Sequence, residues 1–244
     1  MLFPENTMSD FKNAKVLVVG GSSGIGLAAS KAFAAAGANV TIASRSEDKV
    51  RLATQRLGHG VVGCTLDTRD EQAIEAFFSA GSVWDHVVIT AAQTPSGPVR
   101  GLSLLEAYEA MNSKFWGAYR VARYLQVRDS GSVTFVSGYL SVRPSKSSVL
   151  QGAINAAVEA LARGLAIELS PVRVNAVSPG LVATPLWDAV PEDTRLAMYK
   201  TAASRLPVRR VGQPEDVAGA ILYLAGNKHS TGATVLVDGG GTIC

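Results

Sequence analysis

The chain alternates between short runs of aliphatic and β-branched residues and longer stretches whose apolar positions recur at helical spacing. The short runs cover residues 15–19, 39–43, 61–66, 86–90, 132–136, 172–177 and 234–238. Each is too short for a buried helix and is bounded by Gly, Asp or Ser, the usual punctuation of strands. Their apolar positions are nearly continuous, which indicates burial on both faces, as in a parallel sheet. The first three start at residues 15, 39 and 61, which leaves room for one helix in each gap, the spacing of βαβ units. The predicted fold class is α/β: a Rossmann-like, doubly wound, seven-stranded parallel sheet flanked by helices.

The helical stretches add detail. A stripe of Ile154, Val158, Leu161, Leu165 and Leu169 predicts a long helix over 152–169, stopped by Pro171. Its many alanines (156, 157, 160, 162 and 166) suit close packing, within the subunit or against a symmetry mate. Gly37 and Gly58 end two earlier helices. Gln213-Pro214-Glu215-Asp216 opens a late one, with Pro in the first turn and acids at the positive end of the helix dipole. Residues 181–207 are irregular apart from a short helix near 192–203 and contain Trp187, so they form the candidate substrate lid. Residues 1–12 read as a loose tail, with Met8 available as an internal start. The whole is expected to be one domain.

Composition removes several classes of function. Of 244 residues, 47% are hydrophobic and 18% charged, which excludes a disordered chain. The net charge is only +3, and the 23 Lys and Arg are scattered, so no nucleic-acid partner is expected. No apolar run reaches the roughly 18 residues of a membrane span, and the start reads neither as a signal peptide nor as a targeting helix. Two cysteines, Cys64 and Cys244, cannot build a disulfide framework. The expectation is a cytoplasmic protein acting on a small molecule, with no metal site.

The first chemical signal is the turn after the first strand. Gly20, Gly21, Ser22, Ser23, Gly24, Ile25 and Gly26 follow that strand directly and open the first helix. Glycines at 20, 24 and 26 let the backbone turn sharply and approach a pyrophosphate, which the N–H groups and positive dipole end of the helix would hold. The strand-before, helix-after context gives the glycine spacing its weight. The end of the second strand reads Ser44-Arg45-Ser46, with no acid before Glu47. An acid there would bind a ribose 2′-OH, whereas Arg45 can fork onto a 2′-phosphate, so NADP(H) is expected over NAD(H).

Together these residues resemble the short-chain dehydrogenase/reductase family over nearly the whole chain. Gly20-x3-Gly24-x-Gly26 is similar to the family's Thr-Gly-x3-Gly-x-Gly loop, with Val19 replacing Thr. Asp67-Thr68 resembles the segment that contacts adenine, and Thr90-Ala91-Ala92-Gln93 stands where the family has Asn-Asn-Ala-Gly. Val174 to Gly180 is similar to the segment that borders the nicotinamide, followed by Val182 and by Thr184, where a Thr often reaches the carboxamide. Thr231-Gly232 through Gly240 resembles the closing strand. The resemblance implies an oxidoreductase with a nicotinamide cofactor and a homodimeric or homotetrameric assembly. Its implied cofactor contacts include Pro179, Gly180, Val182 and Thr184.

The catalytic positions depart from the family. Its Tyr-x-x-x-Lys falls on Gln151 and Asn155, its Ser on Gly138 with Ser137 beside it, and its helix Asn on Lys114, with Asn112 nearby. Glutamine cannot act as a general acid near neutral pH, and losing a positioned acid–base group typically forfeits about 10²–10⁴ in rate. Three readings follow. One is an oxidoreductase with a rebuilt site, in which Lys114 swings its ammonium into the space of the missing lysine. Ser137 and the phenol of Tyr139 would stand close by, and Asn155 would still reach the ribose. The others are a non-redox enzyme shaped by bound NADP(H), and a module that senses the cofactor's redox ratio.

Overall fold

A computed structural model describes residues 11–244. Seven strands run parallel: β1 (Lys15–Val19), β2 (Asn39–Ser44), β3 (Val61–Thr65), β4 (Trp84–Ile89), β5 (Val127–Val136), β6 (Arg173–Pro179) and β7 (Thr234–Val237). Their spatial order is β3-β2-β1-β4-β5-β6-β7. The helices are α1 (Gly24–Ala35), α2 (Glu47–Leu57), α3 (Glu71–Ser79), α4 (Leu104–Met111), α5 (Gly117–Tyr124), α6 (Val149–Glu168), α7 (Glu192–Arg205) and α8 (Pro214–Gly226). This is the doubly wound Rossmann-like fold expected from the strand spacing.

Alternation along β1 shows why its apolar run is continuous. Val16 and Val18 enter one core with Phe33, Ile42, Ile221 and Leu224. Leu17 and Val19 enter the other with Ile74, Phe78, Phe135 and Val158. Both faces are covered, so a polar residue at any of these β1 positions would be stranded. The strand order reverses at β1: the chain leaves β3 at one edge and resumes at β4 on the other side of β1. A crevice therefore opens above the carboxyl ends of β1 and β4, the place where folds of this class hold ligands.

Some boundaries move. Phe11 does not belong to a loose tail: it is 4% exposed and packs edge-on against Phe33 and His86. The rest of the expected tail, residues 1–10, lies outside the described residues. Strand β5 begins at Val127 rather than at residue 132, and its register with β4 slips between Trp84 and His86. The lid region holds a longer helix than expected, since α7 reaches Arg205.

The far end of the sheet is locked by two polar residues of β6. The Arg173 guanidinium donates to the carbonyls of Leu224 (2.6 Å), Ala225 (2.6 Å) and Asn227 (2.8 Å), capping the C-terminus of α8. Asn175 donates to the Ser230 carbonyl (2.8 Å) and accepts from the Ala233 N–H (3.0 Å), which fixes the entry to β7. Arg173→Met removes three charge-assisted bonds to otherwise orphaned carbonyls. It is expected to cost at least about 2 kcal/mol of stability, read as a lower urea midpoint with an unchanged denaturant slope.

Candidate functional site

The crevice begins with a tight glycine turn. Gly20 has φ +91°, and a Cβ there would lie 2.6 Å from the Ala91 backbone nitrogen. A Cβ on Gly26 would lie 2.6 Å from Thr90 Oγ1. The start of α1 is thereby drawn onto the ends of β1 and β4, where the Thr90 and Ala91 N–H groups both donate to the Val19 carbonyl (2.8 and 3.1 Å). Gly24 brings the loop against the Thr184 side chain, 3.4 Å from where a Cβ would stand. Two segments that the sequence separates widely are thus adjacent, as a dinucleotide site requires.

The N-terminus of α1 is left open to an anion. Ser23, its N-cap, makes no side-chain cap, and no acidic residue lies in the first turn. By contrast α2, α3 and α4 each carry a side-chain cap and at least one acid in the first turn. The free N–H groups and dipole of α1 fit a pyrophosphate. Beside it, Ser22 Oγ donates to Ser44 Oγ (2.9 Å), tying the loop to the end of β2. Arg45 lies exposed at the rim and donates to Gln93 Oε1 (2.7 Å), while the Gln93 N–H donates to Ser113 Oγ (2.8 Å).

Other expected cofactor residues are placed less simply. Asp67 accepts from the Arg69 N–H (3.0 Å) and from the Arg69 guanidinium (2.6 Å at closest), which holds its carboxyl below the usual carboxylate range. Thr68 is buried, and its carbonyl accepts from Arg120 (3.3 Å). Ala92 lies between Ala91 and Gln93 on the same loop. The Val182 side chain is buried in the core, and its carbonyl accepts from Trp187 Nε1 (3.0 Å). Pro179 ends β6, and Gly180 leaves no room for a side chain: a Cβ there would meet Asp238 Cα at 2.8 Å.

The catalytic candidates meet around one lysine. Between α4 and α5 the backbone widens into a π-helical turn, Asn112–Trp116, a form often found at functional sites. Lys114 rises from that turn, half-buried, and its Nζ donates to the Ser137 carbonyl (2.7 Å) and to Asn155 Oδ1 (2.6 Å). Burial pulls its pKa down to about 8, and the nearby Glu159 charge resists that fall. Asn112 is not a substitute: its Oδ1 accepts from Arg120 (2.9 Å), toward α5. Gly138 makes room for Asn155, because a Cβ at 138 would stand 2.7 Å from Asn155 Nδ2.

Two candidates stand apart. Gln151 lies one turn before Asn155 on α6, but its amide donates to the Thr94 carbonyl (3.0 Å), with Thr94 Oγ1 (3.3 Å) and Ser96 Oγ (3.2 Å) beside it. It fastens the β4–α4 loop rather than touching Lys114. Tyr139 starts a short 3-10 turn, and its ring lies near Gly241 at the end of the chain. Its phenol makes no hydrogen bond to the cluster. Ser137 donates its hydroxyl to the buried carboxylate of Glu159 (2.7 Å) and offers only its carbonyl to Lys114.

Glu159 is the residue that sequence reasoning missed. It is 6% exposed and also accepts from Ser141 Oγ (2.7 Å). Its position one turn beyond Asn155, on the same face of α6, was the available signal. Two cavities of about 350 Å³ lie at the opposite end of the strands, one lined by Lys12, Asp85 and Arg128, the other by Val83, Leu125 and Val172, and they hold none of these residues.

Comparison with known proteins agrees with this fold. The family model described as enoyl-(acyl carrier protein) reductase matches residues 19–242. A short-chain dehydrogenase/reductase of Stachybotrys chlorohalonatus is 32% identical, over 96% of this chain and 98% of its own. A crystal structure of a small-chain dehydrogenase in complex with NADPH superposes with a TM-score of 0.83 at 36% identity, over 96% of this chain and all of the other. A short chain oxidoreductase of Pseudomonas aeruginosa PAO1, described as containing an atypical catalytic center, reaches a TM-score of 0.86 at 28% identity, over 95% and 98% of the two chains.

The fit of Asn155 beneath Gly138 makes a prediction. Gly138→Ser restores the family's residue type but drives a side chain into Asn155. It is expected to lower stability by about 1–3 kcal/mol through overpacking, measured by urea unfolding, and not to raise turnover.

Proposed function

Because the chain belongs to the short-chain dehydrogenase/reductase family, a family of oxidoreductases built on a nicotinamide cofactor, we propose that it is an NADP(H)-dependent enzyme that interconverts a small carbonyl compound and its alcohol, with Lys114 as its acid–base group. The observation that carries this reading is the bond between Lys114 and Asn155. The residue types of two family positions are exchanged across the crevice: the lysine comes from the α4–α5 turn and the asparagine from α6. The ammonium still meets the α6 side chain at the family's lysine position.

Gly20, Ser22, Ser23, Gly24, Ile25 and Gly26 would hold the pyrophosphate. Thr90, Ala91, Ala92, Asp67 and Thr68 would border the adenosine, Ser44 and Arg45 the 2′-phosphate, and Pro179, Gly180, Val182 and Thr184 the nicotinamide side. When bound, the cofactor supplies or takes up a hydride. The proton at the substrate oxygen falls to Lys114. Two of its N–H groups are engaged by Ser137 and Asn155, and the third is left to donate. An ammonium with a pKa of about 8 can give up and regain that proton near neutral pH. Asn155 accepts from Lys114 and would turn its amide toward a ribose hydroxyl, and the Gln151 Oε1 would serve as an acceptor for substrate.

The surface supports a homodimer or homotetramer. Ala153, Ala156, Ala160 and Gly164 form an exposed ridge of small residues on α6, and Leu104, Leu105, Tyr108 and Trp116 are exposed along α4 and the turn that follows it. No helix among the described residues is long and apolar enough to cross a membrane. A cytoplasmic setting fits the free thiols of Cys64 and Cys244.

Three measurements test the reading. In direct titrations NADPH should bind more tightly than NADH, and Arg45→Ala should weaken NADPH at least tenfold while leaving NADH within about threefold. Equal affinity of the unaltered protein for both would refute the NADP(H) assignment. Lys114→Ala should lower turnover at least tenfold with nearly unchanged cofactor binding. In the reductive direction the donor must be protonated, so kcat should fall as pH rises through about 8; a flat profile to pH 10 would remove Lys114 from the chemistry.

A further inference from the structure

Glu159 lies outside every contact made by Lys114, yet both residues hold the same neighbour, Ser137. Ser137 offers its carbonyl to Lys114 Nζ (2.7 Å) and its hydroxyl to Glu159 Oε1 (2.7 Å). Asn155, which accepts from Lys114, stands one turn before Glu159 on α6. A second hydroxyl, that of Ser141, also donates to Glu159 Oε1 (2.7 Å). The carboxylate is thus buried and hydrogen-bonded without a direct ion pair, and it faces the lysine through one shared residue. A buried carboxylate is costly unless it is solvated by donors and balanced by a cation. Two serine hydroxyls supply the first need, and Lys114 is the cation on the far side of Ser137.

We propose that Glu159 is the positioning residue of this site: its charge, held by the Ser137 and Ser141 hydroxyls, keeps Lys114 protonated and aimed at the substrate oxygen. The inference rests on Lys114 as the acid–base group, but the coupling itself is measurable without turnover. Around Lys114 the facing groups are Asn155 and Glu159 from α6 and the Ser137 backbone from the end of β5. Of these only Glu159 is charged, so it sets the field at Nζ. Burial drives Lys114 toward the neutral amine and the Glu159 charge opposes it. Removing that charge leaves burial unopposed, and the lysine should titrate at lower pH.

The test follows the Lys114 ε-carbon by NMR in full-length protein labelled with 13C-lysine, the resonance being assigned by its loss in Lys114→Arg. Glu159→Gln keeps an acceptor for both serines and removes the charge, at the cost of one added N–H donor group. Its Lys114 midpoint is expected about one pH unit lower than in the unaltered protein. Glu159→Asp, which retains the charge, should return the midpoint to within about half a unit. If Glu159→Gln does not fold, Glu159→Met removes the charge without adding a buried donor and is read in the same way. An unchanged midpoint in whichever charge-free variant folds overturns the proposal. In the pH profile of kcat, the alkaline limb should move with the NMR midpoint. A shifted midpoint with an unmoved limb would uphold the coupling and instead refute Lys114 as the proton donor.

Discussion

A parallel sheet covered on both faces has almost nowhere to put polar chemistry. Every β1 side chain from Val16 to Val19 is fully buried, and its neighbours on each side are aliphatic or aromatic. Polar function is therefore confined to the rim where the strands end, and the order reversal at β1 decides which part of the rim opens. The glycine turn, Arg45, the Thr90 loop and the Lys114 cluster all lie on that rim because they have no other place. The same constraint explains why Arg173 and Asn175, polar residues inside β6, are spent on capping α8 and β7.

Within that frame, the Lys114 ammonium is held by two groups from different elements, the Ser137 carbonyl after β5 and the Asn155 carboxamide of α6. The π-helical turn matters here, since widening the helix re-aims a side chain that an unbroken α-helix would carry elsewhere. Gly138 matters equally, because only a residue without a Cβ lets Asn155 settle where it meets the ammonium. Backbone width on one wall and missing bulk on the other act together.

The fold was legible because continuous apolar runs at βαβ spacing admit few alternatives. The phosphate turn was legible because its glycines stood between a strand and a helix. Lys114 came into view as a departure from a pattern, and the contact to Asn155 followed from geometry alone. Other features left no trace. Phe11 follows ten residues without a clear pattern, so its burial against Phe33 depends on a tertiary contact that local sequence does not encode. Glu159 on an alanine-rich helix looks like a solvated charge until Ser137 and Ser141 are seen above it. The π turn has the composition of ordinary helix. Tyr139 was placed by proximity along the chain, and its ring turned toward the C-terminus instead.

The exchange proposed for Lys114 and Asn155 would also constrain its own history. The two residues come from different elements, so the swap needs two substitutions, and a single one leaves the site with two lysines or with two asparagines. Two ammonium groups forced into one half-buried space repel strongly, whereas two carboxamides can hydrogen-bond to each other without charge. The neutral pair is the lower pass between the two arrangements, and a lineage or a designer crossing it would carry, for a time, a protein whose buried Glu159 carboxylate had only the Ser137 and Ser141 hydroxyls to hold it.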